Sequence, residues 1–177
     1  MGIVIKRMET EEETRGKAYV HWQSWHEAYP GMVSPEYLEK LTLEKCEQMA
    51  FTWPQNNLVA LDDGRVVGFV CWGTREDDSP DTGEIIAIYI LAEYYGTGLG
   101  RQLMEAGLEQ LKGYPRVCLW VLKENRRAVR FYEKCGYVLN PAVSAHEYDP
   151  PRKENKEIKR PVDFHPDFTC VLVEKYI

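Results

Sequence analysis

The stretch Ile88–Leu103 (IYILAEYYGTGLGRQL) restricts the fold more than any other part of the chain. An apolar β run passes through Gly96-Thr97-Gly98-Leu99-Gly100 and straight into an amphipathic helix. Glycines at alternate positions let successive backbone N–H groups turn inward with no Cβ in the way. At a helix N-terminus such amides form a ready site for phosphate. The plain alternative is a tight strand-to-helix connection with no ligand. Two nucleotide patterns fail here. The Walker pattern requires Lys-Ser/Thr after its last glycine, and Gly100 is followed by Arg101-Gln102. The dinucleotide fingerprint requires a third glycine three positions after the second. That position holds Arg101 counted from Gly96 and Leu103 counted from Gly98.

Ahead of this stretch a short strand covers Ile3–Lys6, and Thr10 caps a helix whose first turn, Glu11 to Glu13, suits the helix dipole. Ala18, Trp22, Trp25 and Tyr29 recur at helical spacing and mark one apolar face. His26 and Glu27 fall off that stripe, on a solvated face, and carry no role. Pro30-Gly31 ends the helix and Ser34-Pro35-Glu36 starts another. Leu58–Leu61 and Val66–Trp72 read as a hairpin around Asp62-Asp63-Gly64-Arg65, and the strongest strand is Glu84–Leu91. After the glycine turn come a helix from Gly98 to Lys112, with Leu99, Leu103, Gly107 and Leu111 on one face, and a strand Arg116–Val121. A helix from Asn125 to Cys135 follows, stopped by Gly136, then strands Tyr137–Leu139 and Thr169–Tyr176. Residues 140–168 hold five of the ten prolines and the mixed-charge stretch PPRKENKEIKR; over the whole segment the charges nearly cancel, and it reads as a long exposed excursion with a solvated surface. The alternation of types predicts an α/β fold with one sheet covered by helices, in a single domain over residues 1–177.

Charge and cysteines narrow the function. The net charge of −6 carries no clustered basic excess, so nucleic acid is not the expected partner. MGIVIKRMETEEE has no apolar targeting core, and no apolar run reaches membrane-spanning length, so a cytoplasmic protein with no membrane partner is expected. Cys46, Cys71, Cys118, Cys135 and Cys170 include no Cys-x-x-Cys pair, and Cys71, Cys118 and Cys170 sit in apolar runs as small hydrophobes. His21, His26, His146 and His165 supply no close ligand pairs, so no metal is expected.

Two segments together resemble the GNAT superfamily of acetyl-CoA-dependent N-acetyltransferases. Tyr95-Gly96-Thr97-Gly98-Leu99-Gly100 is similar to that family's acetyl-CoA signature, Arg/Gln-x-x-Gly-x-Gly/Ala after a strand. Asn125-Arg126-Arg127-Ala128-Val129-Arg130-Phe131-Tyr132-Glu133-Lys134-Cys135-Gly136-Tyr137 is similar to its second signature, Asn-x-x-Ala-x-x-Phe-Tyr-x-Lys-x-Gly-Phe/Tyr. The order is right, and a helix and a strand join them. The chain departs from the pattern at Tyr95, where Arg or Gln is usual, and at Ala92, where Pro is frequent. Both departures keep the backbone amides.

The resemblance implies a mixed, mostly antiparallel central sheet flanked by helices, splayed between the fourth and fifth strands. It implies acetyl-CoA as co-substrate and a small-molecule or protein amine as acceptor, and it leaves room for a homodimer. The pantetheine arm would bond to the backbone of Ile88 and Ile90, with the Ile88 amide on the thioester oxygen. The diphosphate would sit on amides of Tyr95, Gly96, Thr97, Gly98, Leu99, Gly100 and Arg101. Asn125 would contact the CoA arm, cap a helix, or do both. Tyr132 would act as general acid: a phenol of ordinary pKa about 10 can protonate a thiolate whose thiol lies near 8.5. Otherwise it is a core residue of its helix face. Glu84 would be the base that removes the amine proton, directly or through water, or else a solvated acid at a strand end. Trp25 and Tyr29, with Trp22, would wall the acceptor pocket or simply pack the core. A non-catalytic acyl-CoA sensor is the alternative to an enzyme.

Overall fold

The computed structural model describes residues 2–74, 81–144 and 170–176. Thirteen residues at the start of the chain already show how local chemistry sets the elements. Strand β1 (Val4–Arg7) is followed by helix α1 (Glu11–Ala28), capped by Thr10. The Thr10 hydroxyl accepts from Glu13 N–H at 3.1 Å, and the Glu13 carboxylate accepts from Thr10 N–H at 3.2 Å. This reciprocal pair satisfies amides that the first turn leaves open. Lys6 Nζ reaches Glu13 at 2.8 Å and ties β1 to the helix start.

Two further helices follow, α2 (Pro35–Lys40), capped by Ser34, and α3 (Leu43–Thr52), capped by Thr42. One helix restart was expected here. The structure has two because Leu41 leaves helical geometry and the Thr42 side chain caps a fresh first turn at Lys45 N–H. Helices α1 and α3 meet through Ala18, Cys46 and Ala50, with Trp22, Leu41 and Met49 packed around them. Trp22 is therefore a packing residue.

The described residues divide into two compact units. In the first, β1 pairs antiparallel with β2 (Asn57–Asp62), and β2 pairs with β3 (Arg65–Thr74) through the expected Asp63-Gly64 turn. The upper part of β4 (Thr82–Ile90) ends beside β3, where Leu91 N–H donates to Val67 O at 3.0 Å. A single 3₁₀ turn (Ala92–Tyr94) and the glycine turn lead into α4 (Leu99–Gln110). Leu99, Leu103, Gly107 and Leu111, the expected face of that helix, are all buried. Close approach fixes how α4 and β4 meet β3. A Cβ on Gly68 would lie 2.7 Å from Ile90 Cγ2 and 2.9 Å from Leu103 Cδ1, so any larger residue there would force these neighbours to shift.

In the second unit the first residues of β4 pair parallel with β5 (Arg116–Leu122), from Thr82–Arg116 to Glu84–Cys118. Among the described residues this ladder ends at Glu84–Cys118, although both strands continue. Strand β7 (Cys170–Tyr176) pairs antiparallel with β5 along its whole length, and β6 (Val138–Ser144) pairs with β7. Helix α5 (Arg126–Lys134) is capped by Asn125 and stopped by Gly136, at φ 87°. Arg116 bridges the parallel pair, donating to Thr82 Oγ1 at 2.9 and 2.8 Å. Strand β6 runs further than the sequence suggested. β6 continues to Ser144 across an irregularity after Asn140, which takes residues 140–144 out of the expected excursion. Residues 145–169 and the side chain of Cys170 lie outside the described residues. The whole is a mixed, mostly antiparallel α/β sheet flanked by helices. No helix among the described residues is long and apolar enough to cross a membrane.

Candidate functional site

The glycine turn has the geometry that an anion cradle needs. Gly96 and Gly98 adopt φ of 76° and 90°, and Gly98 is the N-cap of α4. A Cβ built on either would meet nothing within 4 Å, so the turn opens outward on that side. Not every amide in it is available. Tyr95 N–H is committed to Ala92 O at 3.0 Å and Thr97 N–H to Tyr94 O at 3.4 Å. Leu99 N–H leans on the Thr97 hydroxyl at 3.4 Å, while that hydroxyl donates to Tyr94 O at 2.7 Å. Among the described residues, the amides of Gly98, Gly100 and Arg101 meet no acceptor. These donors stand at the positive end of a twelve-residue helix. The Arg101 side chain turns away along the helix to Glu105, at 3.0 Å.

Strand alternation decides which β4 groups face away from β3. Leu91 N–H points to β3, and the carbonyl of Tyr89 approaches Gly68 of β3. Ile88 and Ile90, out of phase with both, direct their N–H and C=O to the other edge. One of these groups is taken: Ile90 O accepts from the buried Ser24 hydroxyl on α1 at 3.3 Å. Ile88 and Ile90 are half-buried, whereas Ile86, on the same strand, is exposed.

Trp25 and Tyr29 belong to an aromatic group that also contains His21, Tyr37, Phe69 and Tyr89. Trp25 meets Tyr29 edge-on at 4.6 Å and Tyr37 at 6.0 Å, and the Tyr29 and Tyr89 hydroxyls are 3.4 Å apart. His21 stacks on Tyr89 at 5.7 Å and touches Phe69 at 6.2 Å. Burial pushes His21 down to about 3, helped by the Lys17 cation, so the imidazole is neutral near pH 7. It therefore adds no positive charge to the group. Trp25 is buried, and among the described residues its Nε1–H meets no acceptor. Tyr89 was not anticipated. Its sequence signal is slight, one aromatic residue between two isoleucines of a strand.

The second unit carries the other candidates. Glu84 is 4 % exposed and lies at the last rung of the β4–β5 ladder, so the solvated strand-end acid of the sequence reading is replaced by a buried carboxylate. Asn125 is buried, and its Oδ1 accepts from Ala128 N–H at 3.1 Å. The helix-cap role is thus met. Tyr132 is half-buried, with its ring edge-on to Phe131 at 5.3 Å and to Tyr137 at 6.0 Å. Tyr137 is 2 % exposed, and burial raises its phenol above the usual range. Among the described residues no group of three or more His, Cys, Asp or Glu side chains could hold a metal ion.

Glu27 also departs from expectation. It is exposed, yet its Oε2 accepts from Ala92 N–H at 2.9 Å, across 65 positions of sequence. His26 turns back on its own helix, its Nδ1 2.8 Å from Trp22 O.

A family model described as the acetyltransferase (GNAT) family matches residues 19–137. The chain is 32% identical over 130 residues to the uncharacterized N-acetyltransferase YuaI of Bacillus subtilis, covering 69% of this chain and 73% of that protein. It is 35% identical over 106 residues to a mycothiol acetyltransferase of Thermobifida fusca, covering 55% of this chain and 33% of that protein. The chain thus spans about a third of that second relative's length. In structure it is similar to a PaiA N-acetyltransferase from Thermoplasma acidophilum in complex with coenzyme A, at a TM-score of 0.70 and 21% identity over the whole of both chains.

Proposed function

The chain belongs to the GNAT acetyltransferase family, and from that premise we propose that it transfers the acetyl group of acetyl-CoA to a primary amine. The acceptor is a small molecule or a protein, and attack is direct, with both substrates bound. The observation that carries this reading is the outward-opening glycine turn, with the amides of Gly98, Gly100 and Arg101 at the start of α4. These donors suit the diphosphate of the CoA moiety. Gly96 and Thr97 shape the turn, and Leu99 and Tyr95 hold it. Ile88, with its N–H and C=O, and Ile90, with its N–H, would offer backbone groups to the pantetheine arm, and the Ile88 amide suits an oxygen on which charge develops.

The chemistry balances with two proton transfers. The amine nitrogen forms a bond to the acetyl carbonyl carbon, and the carbon–sulfur bond breaks. Glu84 takes a proton from the amine, directly or through water, and Tyr132 gives one to the departing thiolate. Asn125 caps α5 and so fixes the start of the helix that bears Tyr132. Trp25 and Tyr29 bound the acceptor.

Incubation of the full chain with acetyl-CoA and a panel of amines tests the proposal through the release of free thiol. Amine-dependent release is the expected result. Tight binding of acetyl-CoA with no release for any amine would instead identify a non-catalytic acyl-CoA sensor.

Glu84→Gln separates a base from a structural carboxylate. Glutamine is nearly isosteric, so fold and cofactor affinity are expected to hold. If Glu84 deprotonates the amine, the variant relies on acceptor molecules that are already neutral. Its rate at pH 7 falls, and for an amine of pKa about 10 much of the loss returns as the pH rises. A pH–rate curve parallel to the wild-type curve but lower throughout would assign Glu84 to positioning the cationic acceptor. Superimposable curves would remove it from the reaction.

A further inference from the structure

The exit of β4 is held by three backbone ties on three consecutive residues. Ile90 O accepts from Ser24 Oγ at 3.3 Å, Leu91 N–H donates to Val67 O at 3.0 Å, and Ala92 N–H donates to Glu27 Oε2 at 2.9 Å. The Leu91 side chain is buried between them, at 2 % exposure. Ser24 and Glu27 are three residues apart and share one side of α1. That helix therefore grips the strand exit on both sides of Leu91. On the far side of the 3₁₀ turn, Tyr94 Oη donates to Asp62 at 2.6 Å and Arg65 pairs with Glu93 at 3.1 Å. From Ala92 only the short segment to Gly98 remains before the open amides of α4.

A carboxylate this close in sequence terms to nothing in the turn needs a reason to be there. Its charge would oppose a diphosphate, so Glu27 is not a ligand. Its Oε2 serves the Ala92 amide, while its Oε1 accepts from Gln23 Nε2 at 2.9 Å within α1. We propose that Glu27 is a positioning residue for the phosphate cradle: by capturing Ala92 N–H it presets the strand exit from which the amides of Gly98, Gly100 and Arg101 are presented. The inference rests on reading those amides as the diphosphate site. A loop already ordered loses less freedom when its ligand binds, and the gain appears as affinity.

The test is a double-substitution cycle built on the Ala92 amide. Ala92→Pro removes that N–H alone. Leu91 has φ −62° and ψ 145°, which a following proline favours, and the first position of a helical turn accepts proline. Coenzyme A affinity is measured by calorimetry for wild type, Glu27→Ala, Ala92→Pro and the double variant. Glu27→Ala is expected to weaken binding by about 3- to 10-fold, as suits one partly exposed charge-assisted hydrogen bond, with kcat at saturating acetyl-CoA unchanged. Glu27→Gln keeps an acceptor oxygen and recovers most of the affinity. In the Ala92→Pro background, Glu27→Ala has no effect, because the donor is gone.

Equal effects of Glu27→Ala in both backgrounds, or tighter binding from the loss of a negative charge, would overturn the proposal. Amide hydrogen exchange over residues 92–101 of the unliganded proteins provides a readout independent of coenzyme A. Faster exchange in Glu27→Ala is expected only where Ala92 is retained, and equal exchange in wild type and Glu27→Ala would also overturn the proposal. Failure of the wild-type protein to bind coenzyme A would overturn the diphosphate reading itself, whereas the exchange comparison reports on the clamp alone.

Discussion

Gly98→Glu is expected to abolish coenzyme A binding, by at least about 100-fold, in a protein that still folds. Gly98 caps α4 with φ 90°, a conformation that an L-residue enters at a cost of about 1–2 kcal/mol. Space inside the protein is not the obstacle, since a Cβ there meets nothing within 4 Å. The new side chain points into the region where phosphate oxygens would lie, and its charge repels them. A carboxylate at the positive end of a helix is otherwise favourable, so α4 itself does not suffer. Gly98→Ala carries the same backbone strain with no charge and little bulk, and is expected to lose far less affinity. Calorimetry gives the binding, and circular dichroism confirms the fold. Equal affinity in wild type and Gly98→Glu would sink the cradle.

Tyr132→Phe is expected to bind acetyl-CoA normally and to turn over about 100-fold more slowly or worse, the lower range for a lost general acid. The ring keeps its edge contacts with Phe131 and Tyr137, so no cavity forms. A steady-state thiol-release assay gives kcat, and a separate titration gives affinity. Unchanged turnover would mean that water protonates the thiolate and that Tyr132 only packs.

The parts of this molecule that were legible in its sequence are those set by neighbours a few residues apart. Thr10 with Glu13, Ser34 with Pro35, Asn125 with Ala128, and the Leu99–Leu103–Gly107–Leu111 face each depend on contacts within one or two turns. The hairpin at Asp63-Gly64 is equally local. What escaped depends on partners far along the chain. Glu84 reads as an end-of-strand acid until the fold buries it, and Glu27 reads as a solvated side chain until Ala92 arrives beside it. The cradle shows a third kind of limit. A run of glycines announces open amides, but only the fold reveals that Tyr95 and Thr97 spend theirs on carbonyls of the preceding turn. Helix α3 was hidden for the opposite reason: Leu41-Thr42 interrupts an otherwise continuous polar–apolar pattern with one cap residue and no glycine or proline.

The last turns of α1 carry Trp25 and Tyr29 together with Ser24 and Glu27. One helix thus bears the rings proposed to bound the acceptor and the groups proposed to hold the way into the cofactor cradle. On that proposal, heterotropic linkage is the expected consequence of the shared support. To whatever extent an acceptor settles α1 in the position that grips Leu91, it tightens the hold on the cofactor, and reciprocity requires the cofactor to return the same factor to the acceptor. A preferred order of substrate addition would then be a matter of access rates, with the two affinities rising or falling together whichever substrate arrives first.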